Sequence, residues 1–138
     1  MHTDDVRTIP LFETVPRSRR AEVARLADRI TVPAGTFLIR QGELAHEFFV
    51  ILEGSAHVIR DERVVAVLGP GDFFGEIALV GHPIRTATVV AHSQLELAVL
   101  TRREFRTLLS RFPDLASAVL SAGRKRVVST LREVEALS

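Results

Sequence analysis

The chain has 138 residues, 46% apolar and 25% charged, with a formal net charge of +1 and no cysteine. That is one domain's worth of chain with material for a core, and it excludes disorder, coiled coil and collagen. The missing cysteine excludes disulfides, cysteine nucleophiles and thiolate metal sites, and it fits a cytoplasmic protein. The longest apolar runs, Phe48–Leu52 and Val64–Leu68, hold five residues each. A bilayer needs about 20, so no membrane segment is expected. The acidic, polar start Met1–Asp5 does not read as a secretory signal. Charge is uneven: residues 30–100 carry four basic and eight acidic groups, residues 101–138 eight basic and four acidic.

Three zones follow one another in a single domain spanning 1–138. Residues 1–29 form a helical lead-in. Ile9–Phe12 is a short apolar anchor for the body of the molecule. Ser18 reads as a helix cap with Glu22 in the first turn, and Val23, Leu26, Ala27 and Ile30 recur at helical spacing. Residues 30–100 are strand-rich. Glycine or proline punctuates them at Pro33/Gly35, Gly42, Gly54, Gly69/Gly71 and Gly81/Pro83. The runs between predict strands over Thr36–Arg40, Phe48–Leu52, Ala56–Arg60, Val64–Leu68, Arg85–Ala91 and Leu95–Leu100. Asp61-Glu62-Arg63 is the tip of a hairpin. Even spacing without intervening helices argues for a sandwich or barrel. Gly75–Leu79 breaks the pattern as a turn or two of helix.

Residues 101–138 are helical again. Thr101 and Glu104 form a capping box, followed by an apolar stripe of Phe105, Leu108, Leu109 and Phe112. Pro113-Asp114 ends that helix and starts another, predicted to run to about Ala136. Leu120, Val127, Leu131 and Val134 lie along one side of it.

The chemistry concentrates between Gly69 and Val89. Strand alternation gives Arg85 the parity of Ala87, Val89 and Ala91, the inward side, and gives Thr86 and Thr88 the other face. A guanidinium turned inward must meet an anion. Two anions are available to it: a carboxylate of the chain, with Glu76 nine residues away, or a ligand phosphate gripped bidentately. Gly75 opens the short helix, whose free N–H groups favour an anion, and its lack of a side chain permits close approach. A Glu76 carboxylate there is suited to sugar hydroxyls. Phosphate grip beside ribose grip means a nucleotide.

Two stretches carry a family resemblance. One is Leu38-Ile39-x-x-Gly42-Glu43-x-Ala45-x-x-Phe48-Phe49-Val50-Ile51-x-x-Gly54. The other is Phe74-Gly75-Glu76-x-Ala78-Leu79 followed by Arg85-Thr86-Ala87-x-Val89-x-Ala91. Together they resemble the cyclic nucleotide-binding domain family of catabolite activator proteins, protein kinase regulatory subunits and gated channels, over about residues 5 to 136. The resemblance implies an α+β fold: a β-roll with jelly-roll topology, flanked by an N-terminal helix and two C-terminal helices. It implies a phosphate-binding cassette over 74–87. Arg85 would hold the cyclic phosphate and Glu76 the ribose 2′-hydroxyl. Gly75, Glu76, Ile77 and Ala78 would supply backbone contacts, with Thr86 and Ala87 beside the phosphate and purine. Placing Thr86 there requires a bulge or twist at the strand start.

The expected ligand is cAMP, with cGMP second, and no cofactor or metal is expected. Occupancy would be relayed through the C-terminal helices, with Val127, Val128 and Leu131 as a lid on the base. The rival reading is the same fold without nucleotide, acting as an interaction or dimerisation module through the last helix. A homodimer through that helix and an attached or separate effector are the expected partners.

The five histidines, at 2, 46, 57, 82 and 92, lack ligand spacing. That argues against a metal-dependent cupin. No nucleophile elbow or paired-carboxylate centre is present, so the chain is not expected to be an enzyme. Arg124-Lys125-Arg126 reads as a solvated helix face, and DNA is not an expected partner of this chain alone.

Overall fold

A computed structural model describes residues 1–44, 46–75, 87–119 and 121. It opens with helix α1 (Thr3–Thr8), then single 3-10 turns at Pro10–Phe12 and Arg17–Arg19, then α2 (Arg20–Leu26). Eight strands follow: β1 (Asp28–Val32), β2 (Phe37–Ile39), β3 (Glu47–Glu53), β4 (Ala56–Arg60), β5 (Arg63–Leu68), β6 (Phe73–Phe74), β7 (Thr88–Ala91) and β8 (Leu95–Thr101). Helix α3 (Arg102–Arg111) comes next, and residues 113–119 are helical. No helix among the described residues is long and apolar enough to cross a membrane.

The strands form two four-stranded antiparallel sheets, in the orders β1-β8-β3-β6 and β2-β7-β4-β5. This is the expected β-roll with jelly-roll topology and flanking helices. The first sheet is covered on both faces. Its Phe48, Val50, Ala98 and Leu100 meet Val23, Phe105, Leu108 and Leu115 from the helices. Its Phe49, Ile51, Leu95 and Leu97 meet Ala56, Val89 and Ala91 of the second sheet. This explains why β3 reads as an unbroken apolar run: both faces are buried, so no alternation is selected. Phe48 sits where the first sheet meets α3, its ring 4.4 Å from that of Phe105.

The apolar anchor is found where expected, with Ile9 and Phe12 both buried in the helix-side core. The capping box at Thr101 is also present, with Glu104 N–H donating to Thr101 Oγ1 and Thr101 N–H to Glu104 Oε1.

Two expectations need correction. Ser18 caps no helix: it lies inside the 3-10 turn, and α2 starts at Arg20 without a side-chain cap. Ile30 does not continue the helical stripe. Ala27 is already extended, and Ile30 pairs with Leu97 in β1, so the lead-in ends before 29. The β-branched run Ile30-Thr31-Val32 finds ladder partners on β8, and pairing outweighs a helical coincidence of spacing. The segments Thr3–Thr8 and Phe73–Phe74 were not anticipated as elements at all.

Where α2 meets α3, Glu22 accepts from Arg19 (3.2 Å) and from Arg111 (3.5 Å). The Arg19 hydrogen bond, ahead of the charge of both guanidiniums, holds the Glu22 carboxyl below its ordinary range.

Candidate functional site

The chain passes from the first sheet to the second between β6 and β7, and the residues singled out from sequence lie on that passage. Its first root is β6. Phe74 stacks on Phe49 at 4.9 Å in the core between the sheets. Phe73 takes the opposite side and packs on Phe48 at 5.7 Å against the helix-side core. Two adjacent aromatics on a strand thus nail this root into both cores at once.

Before it, the turn 69–72 is closed by Asp72, whose side chain accepts from Gly69 N–H at 2.8 Å. After it, Gly75 is a bend with φ +97, in the left-handed region where a Cβ is disfavoured. Glycine at this position is therefore a backbone requirement, which the sequence reading had attributed to close approach alone.

The second root is β7. The alternation in the sequence starts this strand at Arg85. Among described residues it starts at Thr88, and Ala87 is a bend outside it. Val89 and Ala91 do face inward and are buried. The alternation reaches no further back than Thr88, so strand parity carries no argument for the direction of Arg85 or Thr86. A strand that begins late has physical reasons here. Thr88 is held from outside the sheet, as its Oγ1 accepts the Gln41 N–H at 2.9 Å.

Gln41 also exchanges two hydrogen bonds with Asp61 at the β4–β5 tip. Its Nε2 donates to Asp61 Oδ1 (3.0 Å), and Asp61 N–H donates to Gln41 Oε1 (3.2 Å). Asp61 and Glu62 sit at φ +49 and +69 in that two-residue turn. Sequence reasoning placed the hairpin tip but not these contacts. A polar residue before Gly42 in a short turn was the only available signal.

Of the expected site residues, Gly75 and Ala87 are described, one at each root. Glu76, Ile77, Ala78, Arg85 and Thr86, with residues 76–79 of the short helix expected to open at Gly75, lie outside the described residues. So do Val127, Val128 and Leu131. The inner face of the second sheet presents Ile39, Val58 and Leu68, half-buried and packed on the core that holds Val89. That wall is apolar and suits a flat ring more than a metal. No group of three or more His, Cys, Asp or Glu that could hold a metal occurs among the described residues. His57 and His92, distant in sequence, do stack ring on ring at 4.0 Å.

Comparison with known proteins agrees with this arrangement. A family model for the cyclic nucleotide-binding domain matches residues 29–112, from β1 through the end of α3. The cAMP-dependent protein kinase regulatory subunit of Schizosaccharomyces pombe is 34% identical over 108 residues, which are 78% of this chain and 26% of that protein. Among solved structures, the catabolite activator protein of Thermus thermophilus has a TM-score of 0.80 at 28% identity, covering 93% of this chain and 62% of that one. The regulatory domain of Toxoplasma gondii PKA, in a co-crystal with cAMP, has a TM-score of 0.76 at 29% identity, covering 88% and 49%. The chain spans about a quarter of the yeast subunit and about half of the Toxoplasma chain.

Proposed function

The chain belongs to the cyclic nucleotide-binding domain family, and from that premise we propose that it is a sensor that binds cAMP, with cGMP as the weaker ligand. The observation that supports this most is the match over 29–112. It takes in both roots of the passage 76–86, and the two sheets that carry them enclose an apolar wall. Relatives bound to cAMP favour the adenine nucleotide.

In this reading Arg85 grips the cyclic phosphate with a planar fork that lysine does not reproduce. Glu76 accepts from the ribose 2′-hydroxyl. Gly75, Glu76, Ile77 and Ala78 donate backbone N–H groups, Thr86 and Ala87 lie against phosphate and purine, and the ring rests on the Val58–Val89 wall. Binding, not catalysis, is the role, and the whole of 1–138 serves as one cytoplasmic sensor domain.

The relay runs through the C-terminal helices. Phe105, Leu108 and Leu115 are buried against the first sheet, so movement there is felt by whatever follows. Val127, Val128 and Leu131 close over the base and couple it to helix position. A ligand shifts such a switch only by its difference in affinity for the two arrangements. The effector, and any homodimer through the last helix, belong to this proposal.

The second reading is a module of the same fold that no longer binds nucleotide and acts as an interaction or dimerisation domain. Thermal unfolding separates the two. With cAMP at about 100 times its dissociation constant, a true binder gains about 2.7 kcal/mol and its midpoint rises by several degrees. An unchanged midpoint at millimolar cAMP and cGMP would refute the sensor reading and leave the interaction module.

A further inference from the structure

We propose that Gln41, Asp61 and Thr88 form a clasp that positions the phosphate-gripping end of the passage 76–86, and that Gln41 and Thr88 are therefore positioning residues for ligand affinity. The proposal rests on the reading of Arg85 as the phosphate grip. Arg85 is three residues before Thr88, so no more than about 11 Å of backbone separates them. The position of the start of β7 therefore bounds where Arg85 can lie.

What sets the start of β7 is unusual. On its inner side Val89 is fixed by the core between the sheets. On its outer side Thr88 Oγ1 is fixed by Gln41 N–H. Among the described residues Gln41 has little else to hold it, since residues 40–44 are exposed and Gly42 turns through φ +87. The reciprocal pair with Asp61 supplies the missing restraint. Three segments distant in sequence, at 41, 61 and 88, are tied at one residue.

The backbone at the tip supports a held rather than a relaxed contact. Two-residue hairpins favour Asn-Gly or Asp-Gly because both positions need φ above zero. Here the second position is Glu62, with a Cβ at φ +69. A Glu in that conformation persists where surrounding contacts over-determine it, and the Gln41–Asp61 pair is such a contact.

Each hydrogen bond of this kind is worth about a three- to tenfold change in an equilibrium. The test is titration of the intact chain with cAMP and with the Rp and Sp phosphorothioates of cAMP, for the native protein, Thr88→Ala, Thr88→Ser, Gln41→Ala and Arg85→Ala. Sulfur in place of one or the other exocyclic oxygen reads how sharply the guanidinium is placed, which overall stability does not. Thr88→Ala and Gln41→Ala are expected to bind cAMP roughly three- to tenfold more weakly and to lose discrimination between the diastereomers. Thr88→Ser keeps the acceptor and restores both.

Arg85→Ala as tight as native overturns the phosphate reading and the clasp with it. Weak Arg85→Ala binding alongside native affinity and discrimination in Thr88→Ala and Gln41→Ala overturns the clasp alone. So does an affinity loss that is equal for both diastereomers.

Discussion

The two sheets share an architecture and differ in what they are covered by. The sheet β1-β8-β3-β6 lies between helices and the second sheet, and its middle strands β3 and β8 are buried over most of their length. The sheet β2-β7-β4-β5 has one covered face. Its edge strand β5 is exposed along most of its length, and Phe37, Val64 and Val67 stand in water. Stability is concentrated in the first sheet. The second is held by its inner residues and by tight turns, and through β7 it anchors the far end of the passage that carries the proposed site residues. A frame that is rigid on one side and turn-bound on the other suits a domain that must change arrangement when occupied, because local opening draws on the thinly covered side.

Substitutions sharpen this contrast in order of size. Phe48, fully buried in the helix-side core, should lose about 3–5 kcal/mol on change to alanine. Denaturant unfolding measures it, and a loss below about 1 kcal/mol would break the claim that the first sheet is the frame. Gly54 links β3 to β4, and thus one sheet to the other. It sits at φ +94 with the Gln94 carbonyl where a Cβ would go. Gly54→Ala should cost roughly 2 kcal/mol or more, while a neutral result would show that the crossing adapts freely. Val67, 63% exposed on β5, should shift stability by no more than about 0.5 kcal/mol on change to threonine. A loss comparable with that of Phe48→Ala would mean that the outer face of the second sheet is covered in solution.

The same contrast decides how much the sequence disclosed. β3, β4, β5 and β8 are legible to within a residue or so, because apolar runs bounded by Gly54, by the Asp61-Glu62 tip and by Gly69 leave little choice. The box at Thr101 is legible because capping is local chemistry. The exceptions depend on partners distant in sequence. β1 was hidden because Ile30 fits a helical stripe until β8 is there to pair with it. β6 was hidden because two residues carry no periodicity. β7 was drawn too long because alternation continues on paper through Ala87, whereas the chain bends there. For the proposed site, the motif supplies candidate residues, of which Gly75 and Ala87 are among the described residues. The Gln41 contacts that root β7 join loops 20 and 47 residues apart, and no local pattern announces them.

The central claim is that this domain binds a cyclic nucleotide through Arg85, and titration calorimetry with cAMP on the native chain and on Arg85→Ala tests it most directly. The account predicts saturable one-to-one binding to the native protein. It predicts a loss of about 2–5 kcal/mol in Arg85→Ala, as expected when a charge-assisted contact is removed from a partly dry site. Equal affinity of the two proteins, or no saturable heat with the native one, would contradict it.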